Sequence, residues 1–220
     1  MNVLRRKPPA PLDRLVDRVW HASWALANGQ QVAPEIVIQP AVTLTFEQGS
    51  AMITGLGSLR FRRELVGRGR VLGMVFRPGC FRPLLDCGVD TLTEQSVPAH
   101  EIFGSSIFEL QDALLDPQPL TRQIELLAHY FTPLIPQERT PSEAVAELVQ
   151  YIVSEPSINR VGDVSRKLGL GRRELHRIFT EHVGVSPKWV IERRHLPSNG
   201  VRRPRPSPRW GELARELTAA

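Results

Sequence analysis

Apolar side chains between Val161 and Trp189, in VGDVSRKLGLGRRELHRIFTEHVGVSPKW, fall on two short stripes separated by Gly169-Leu170-Gly171. Val161, Val164 and Leu168 make the first stripe, spaced as on one face of a helix, and Ser165 is small where a second helix would cross. Leu175, Ile178 and Phe179 make the second, which ends before Gly184. Gly169 is free to take the positive φ that a sharp helix stop needs. Ser186-Pro187 then restarts a helix, with serine as N-cap and proline at its first position. The pattern predicts a helix-turn-helix, the geometry that lays its second helix in the DNA major groove.

The polar face of that second helix carries the chemistry. Arg173, Arg177 and Thr180 point away from the Leu175/Phe179 stripe, with His176 at the margin. An arginine fork can meet guanine O6 and N7 together or clamp a phosphate. Arg172, in the first turn and near the protein body, suits a phosphate contact, as does Lys188 at the start of the next helix. Glu174 and Glu181 lie on the flank, so the face is not uniformly basic. The plainer alternative is the solvated face that charged helices ordinarily have.

Upstream, period-two alternation and β-branched enrichment predict a mainly β region over residues 10–104. Strands are expected at 19–24, 35–40, 42–46, 51–54, 61–66 and 71–76, with turns at Gly49 and around Gly67 and Gly69. From 105 the spacing changes to helical. Ile107, Leu110, Leu114 and Leu115 form one stripe and Ile124, Leu127, Ala128 and Phe131 another, with Pro117 and Pro119 between them. Residues 132–141, holding Pro133, Pro136 and Pro141, read as the interdomain linker. Ser142 is expected to cap the next helix, whose Val145, Leu148, Val149 and Ile152 face inward until Glu155-Pro156.

Charge separates the two ends of the chain. Residues 159–220 hold 14 Lys+Arg against 6 Asp+Glu, and residues 1–158 hold 14 against 17. Basic charge concentrated beside a helix-turn-helix is the electrostatic footprint of a DNA binder. The 220 residues suffice for two domains. No apolar run approaches the ~18 residues of a membrane span, and MNVLRRKPPAP lacks the apolar stretch of a signal peptide. Cys80 and Cys87 have no second pair, so zinc and a disulfide are both disfavoured and the thiols read as buried or incidental. A cytoplasmic protein is expected.

The segment VGDVSRKLGLGRRELHRIFTEHVGVSPKWVIERR resembles the first helix-turn-helix of the AraC/XylS-type transcription regulators. Gly171 stands where that family usually has a serine or threonine N-cap, and Ser165 where alanine is usual. More weakly, RELVGRGRVLGMVFRPGCFRPLL and VPAHEIFG resemble the amino-terminal sensor of one AraC-type subgroup. The resemblance implies an α+β chain: a cupin-like β-barrel, then helices, then an all-α helix-turn-helix domain. The divisions expected are a β-rich sensor at 1–104, a helical pair at 105–131, a linker at 132–141, the first helix-turn-helix unit at 142–195, and a tail at 196–220. In the family the helical pair often makes a dimer contact; packing of the same stripes against the barrel is weighted equally. After SPKWVI the family continues into a long linker helix. Here Pro197, Pro204, Pro206 and Pro208 interrupt it, among Arg202, Arg203, Arg205 and Arg209, and proline inside a helix costs roughly 3 kcal/mol. Residues 209–217 resemble the opening helix of the second unit. The expectation is a truncated carboxyl terminus, with 195–208 stemming from a shifted reading frame.

A ligand site is far less determined by the sequence. Trp20, Trp24, Phe46, Phe76 and Arg77, with Phe81, are candidates for an apolar effector pocket with one anion-binding group, although half of these aromatics are expected to be barrel core. Metal-dependent cupins need clustered histidines and a carboxylate, whereas His21 and His100 are far apart, so no metal or other cofactor is expected. No catalytic constellation stands out, and an enzyme is disfavoured. The reading is an effector-responsive regulator whose partners are double-stranded DNA, a small-molecule effector and a second copy of itself. The alternative is a truncated sensor that does not bind DNA and acts by pairing with a full-length relative.

Overall fold

Alternating apolar residues on extended segments build the amino-terminal half, and helical stripes build the rest, giving a mixed α+β chain. The computed structural model describes residues 2–27, 29–33, 35–36, 41–57, 61–62, 64–193 and 209–218. The described strands are β1 (Asn2–Arg6), β2 (Val16–Ala25), β3 (Gln31–Val32), β4 (Glu35–Ile36), β5 (Thr43–Glu47), β6 (Ser50–Thr54), β7 (Phe61–Arg62), β8 (Leu65–Val66), β9 (Arg68–Phe76) and β10 (Ser96–Pro98). The described helices are α1 (His100–Phe103), α2 (Ser106–Leu115), α3 (Leu120–Phe131), α4 (Pro141–Ser154), α5 (Val161–Leu168), α6 (Arg172–Val183), α7 (Pro187–Arg193) and α8 (Trp210–Thr218).

The main sheet is antiparallel with the order β1-β2-β9-β5-β6-β10, and two short ladders pair β3 with β8 and β4 with β7. Among the described residues this is an open six-stranded sheet with two ladders, rather than one closed barrel. The strand expected at 35–40 is described only at Glu35–Ile36, and the one at 61–66 as two short pieces. Among the described residues, three strands escape the sequence pattern. β1 leaves most of its residues exposed, β3 is two exposed residues, and β10 has three residues ending in proline, so none shows a clear alternation.

Register divides the sheet into two faces. Leu44 pairs with Met74 and Ile53, while Phe46 pairs with Leu72 and Ala51. Together with Val19 and Phe76 these residues form the buried face, whose apolar cluster continues into α2, α3 and α4. The same cluster takes in Leu175, Ile178, Phe179 and Val183 of α6, so one core runs from the sheet to the carboxyl-terminal helices.

The segment expected to be a linker is tied down. Arg14, just after Leu12 in a 3-10 turn, donates to the carbonyls of Pro136 at 2.6 Å, Gln137 at 3.3 Å and Glu138 at 2.8 Å. Its fork also meets Glu143 through Nε at 3.1 Å and Nη2 at 2.8 Å. Burial raises the Glu143 carboxyl, but Arg14 and the Thr140 amide outweigh that and hold it below the usual carboxylate value. The cap of α4 differs from the expectation. Thr140 is the N-cap and Pro141 the first helical residue, while Ser142 turns inward to bond His182.

Residues 195–208, the proline- and arginine-rich interruption, lie outside the described residues. α8 beyond them packs on α4 and α5. Leu213 and Leu217 are buried, Trp210 meets Tyr151 edge-on at 4.8 Å, and Arg139 bridges Glu147 and Glu216.

Candidate nucleic-acid interface

Local chemistry sets the angle between α5 and α6. Gly169 ends α5 in the left-handed region at φ +70°, where a side chain would be strained. Ser165 donates to the carbonyl of Leu170 at 2.6 Å and so fastens the turn. At the start of α5, Asp163 accepts the amides of Asn159 and Arg160, which hold its carboxyl below the ordinary value. Gly171 is the N-cap of α6 and offers no side-chain bond. Leu175, Ile178 and Phe179 are fully buried, which fixes the opposite face outward.

That outward face holds the predicted row. Arg172, Arg173, His176 and Arg177 are exposed and Thr180 is half-buried, with His176 Nδ1 3.3 Å from the Thr180 hydroxyl. Arg172 lies nearest α5: its Nη2 would be 3.2 Å from a Cβ added at Gly162. Lys188, exposed in the first turn of α7, pairs with Glu192 at 3.6 Å, and Ser186 caps α7 through the amide of Trp189 at 3.2 Å. Arg166 extends the basic surface along α5 and is four-fifths exposed, at 80%. Nothing in the spacing of the second helix points to Arg166, which lies on the first. Lys167 is turned elsewhere, over the rings of Tyr151 and Trp210.

The far end of α6 is a joint with the β-rich half. Gly184, at φ +86°, sits against Val89, and the Thr93 hydroxyl donates to its carbonyl at 2.6 Å. Glu181 places one oxygen 3.4 Å from Arg82 Nη2 and the other 3.3 Å from Arg177 Nη1. His182 is buried with Nδ1 3.1 Å from the Ser142 hydroxyl, and burial pushes its imidazole below the ordinary value. Arg177 and Glu181 form a local i, i+4 pair, but Arg82, Thr93 and Ser142 were not legible as partners of this helix end, since they come from segments far apart in the chain.

The effector candidates are not gathered on one face. Trp20 and Trp24 lie on the sheet face away from the helices, across from Gly73 and Gly69, where an added Cβ would come within 2.1 Å and 2.2 Å of the indoles. Trp24 Nε1 donates to the Val66 carbonyl at 3.2 Å. Phe46 and Phe76 point to the buried face, where Phe76 packs edge-on against Phe81 at 4.7 Å. Arg77 begins the turn after β9, with its amide on the Leu15 carbonyl at 2.7 Å. His21 is on β2 and burial lowers its value, while His100 stacks near Phe108 in α2. Among the described residues no group of His, Cys, Asp and Glu could hold a metal, and no helix is long and apolar enough to cross a membrane. Cys80 is buried and its thiol is pushed up to about 12 by that burial, whereas Cys87 is exposed.

Comparison with known proteins adds little to this geometry. A family model described as "Domain of unknown function (DUF6597)" matches residues 4–98, less than half of the chain. No curated protein matches. The structure is similar to the crystal structure of an apo ToxT variant from Vibrio cholerae strain SCE256. The two share 11% identity and a TM-score of 0.39, over 80% of this chain and 79% of that one.

Proposed function

We propose that this chain is a DNA-binding transcription regulator in which α5 and α6 form a helix-turn-helix and α6 enters the major groove. One observation carries the reading: α6 buries its Leu175/Ile178/Phe179 stripe completely and presents Arg173, His176 and Arg177 together to solvent. Arg173 and Arg177 are one helical turn apart, the spacing that lets two forks reach successive base edges. Arg172, Arg166 and Lys188 flank them and supply phosphate contacts, with Thr180 at the edge of the row. The similarity of 161–194 to the AraC/XylS reading unit supports the same assignment.

The reading extends to effector response through β9. Its glycines lie under Trp20 and Trp24, and the chain after it forms the turn that carries Arg82 against α6. A small molecule held on the tryptophan face would bear on β9 and so on the joint at the end of α6. Selection from a pool of random duplexes at two salt concentrations tests the central assignment. An enriched motif whose retention weakens with salt is expected, and retention without any motif would contradict base reading by α6.

A further inference from the structure

The geometry points to Arg82 as a positioning residue for Arg177, acting across the joint through Glu181; this rests on the reading of Arg177 as a DNA contact. The Glu181 carboxylate is shared, one oxygen to each arginine at nearly equal distance. Arg82 is held independently, its Nη1 donating to the Leu85 carbonyl at 2.8 Å. The backbone of Glu181 is held too, since it lies in α6 and the Thr93 hydroxyl grips the Gly184 carbonyl three residues on. With both anchors fixed, the partition of one carboxylate between two forks decides how freely Arg177 turns outward.

The charges give the sign. Glu181 is an anion on the flank of a helix meant to approach phosphates, and it occupies a donor edge of Arg177. Arg82 offsets that charge and draws one oxygen away. Without Arg82, the whole carboxylate falls to Arg177, and its charge is offset only by the fork that is meant to meet DNA. Removing Glu181's charge does the opposite. Arg82 itself need not touch DNA.

A double-mutant cycle on the full chain tests this, with a short mixed-sequence duplex as probe. Arg82→Ala should weaken binding about threefold and Glu181→Gln should tighten it by a similar factor, as expected of partly exposed ion pairs. Arg82→Lys should retain most of the wild-type affinity. The decisive variant is Arg82→Ala with Glu181→Gln, which should bind like Glu181→Gln alone. If Arg82→Ala still weakens binding in that background, Arg82 acts on DNA directly and the proposal is overturned. A second readout needs no DNA. Rotation of the Arg177 guanidinium, followed by nitrogen-15 NMR, should slow in Arg82→Ala and quicken in Glu181→Gln. Unchanged rotation overturns the coupling even where binding changes. Wild-type protein without affinity for duplex, but with the expected rotation shifts, would sink the DNA reading and leave the coupling standing.

Discussion

The two ends of α6 live in different surroundings. Its first turns carry Arg172, Arg173, His176 and Arg177 in solvent, while its last turn places His182 and Val183 in the core and ends at Gly184 against Val89. A helix that only packed would bury both ends alike, and a free reading head would expose both. This helix is half surface and half joint. The segment from Arg82 to Thr93 therefore contacts the same helix that carries the arginine row.

The joint end should be the more costly to disturb. Val183→Asp would bury an unpaired charge, and a loss of about 3–5 kcal/mol in denaturant unfolding is expected. Arg14→Ala should cost about 2–3 kcal/mol by the same measurement, because it strands a half-buried Glu143 and three linker carbonyls. At the exposed end the balance reverses. Arg173→Ala or Arg177→Ala should leave stability within about 0.5 kcal/mol while weakening binding to a selected duplex by about 1–3 kcal/mol each.

The smallest expected effect is pH-dependent and belongs to the joint alone. His182 has a folded-state value below that of the unfolded chain, because burial disfavours its charged form. Above the ordinary imidazole value both states are neutral there and stability is unaffected. As pH falls below about 6.5 the unfolded state takes the proton first, so stability drops until the lower folded value is reached. Glu181, Arg82 and Arg177 face the ring's surroundings and their charges enter the same balance. Urea unfolding of His182→Gln across this range should show a shallower decline than wild type, and an identical decline would remove His182 from the account.

The exposed end of α6 was legible in the sequence because helical periodicity is local. Leu175, Ile178 and Phe179 declare the buried stripe, Gly169 and Gly184 the stops, and the arginines follow by geometry. The joint was not legible. Arg14 meets Glu143 across 129 residues and Arg82 meets Glu181 across 99, and nothing near either residue signals its partner. The prolines at 133, 136 and 141 mark the linker, but nothing beside them signals that Arg14 holds the carbonyls of 136–138. The division of the aromatic candidates between two faces was hidden for another reason. Register, with its irregularity between Val16 and Arg18, decides which face each strand residue takes. Composition shows Trp20, Trp24, Phe46 and Phe76, but not that the tryptophans and phenylalanines part company.

The most direct test is duplex binding by the Arg173→Ala/Arg177→Ala double variant beside wild type, with melting temperature recorded for both. A loss of about thirtyfold or more in affinity for the selected duplex is expected, equivalent to about 2 kcal/mol, with the melting temperature unchanged. Unaltered affinity at an unaltered melting temperature would contradict it and move any DNA contact away from α6.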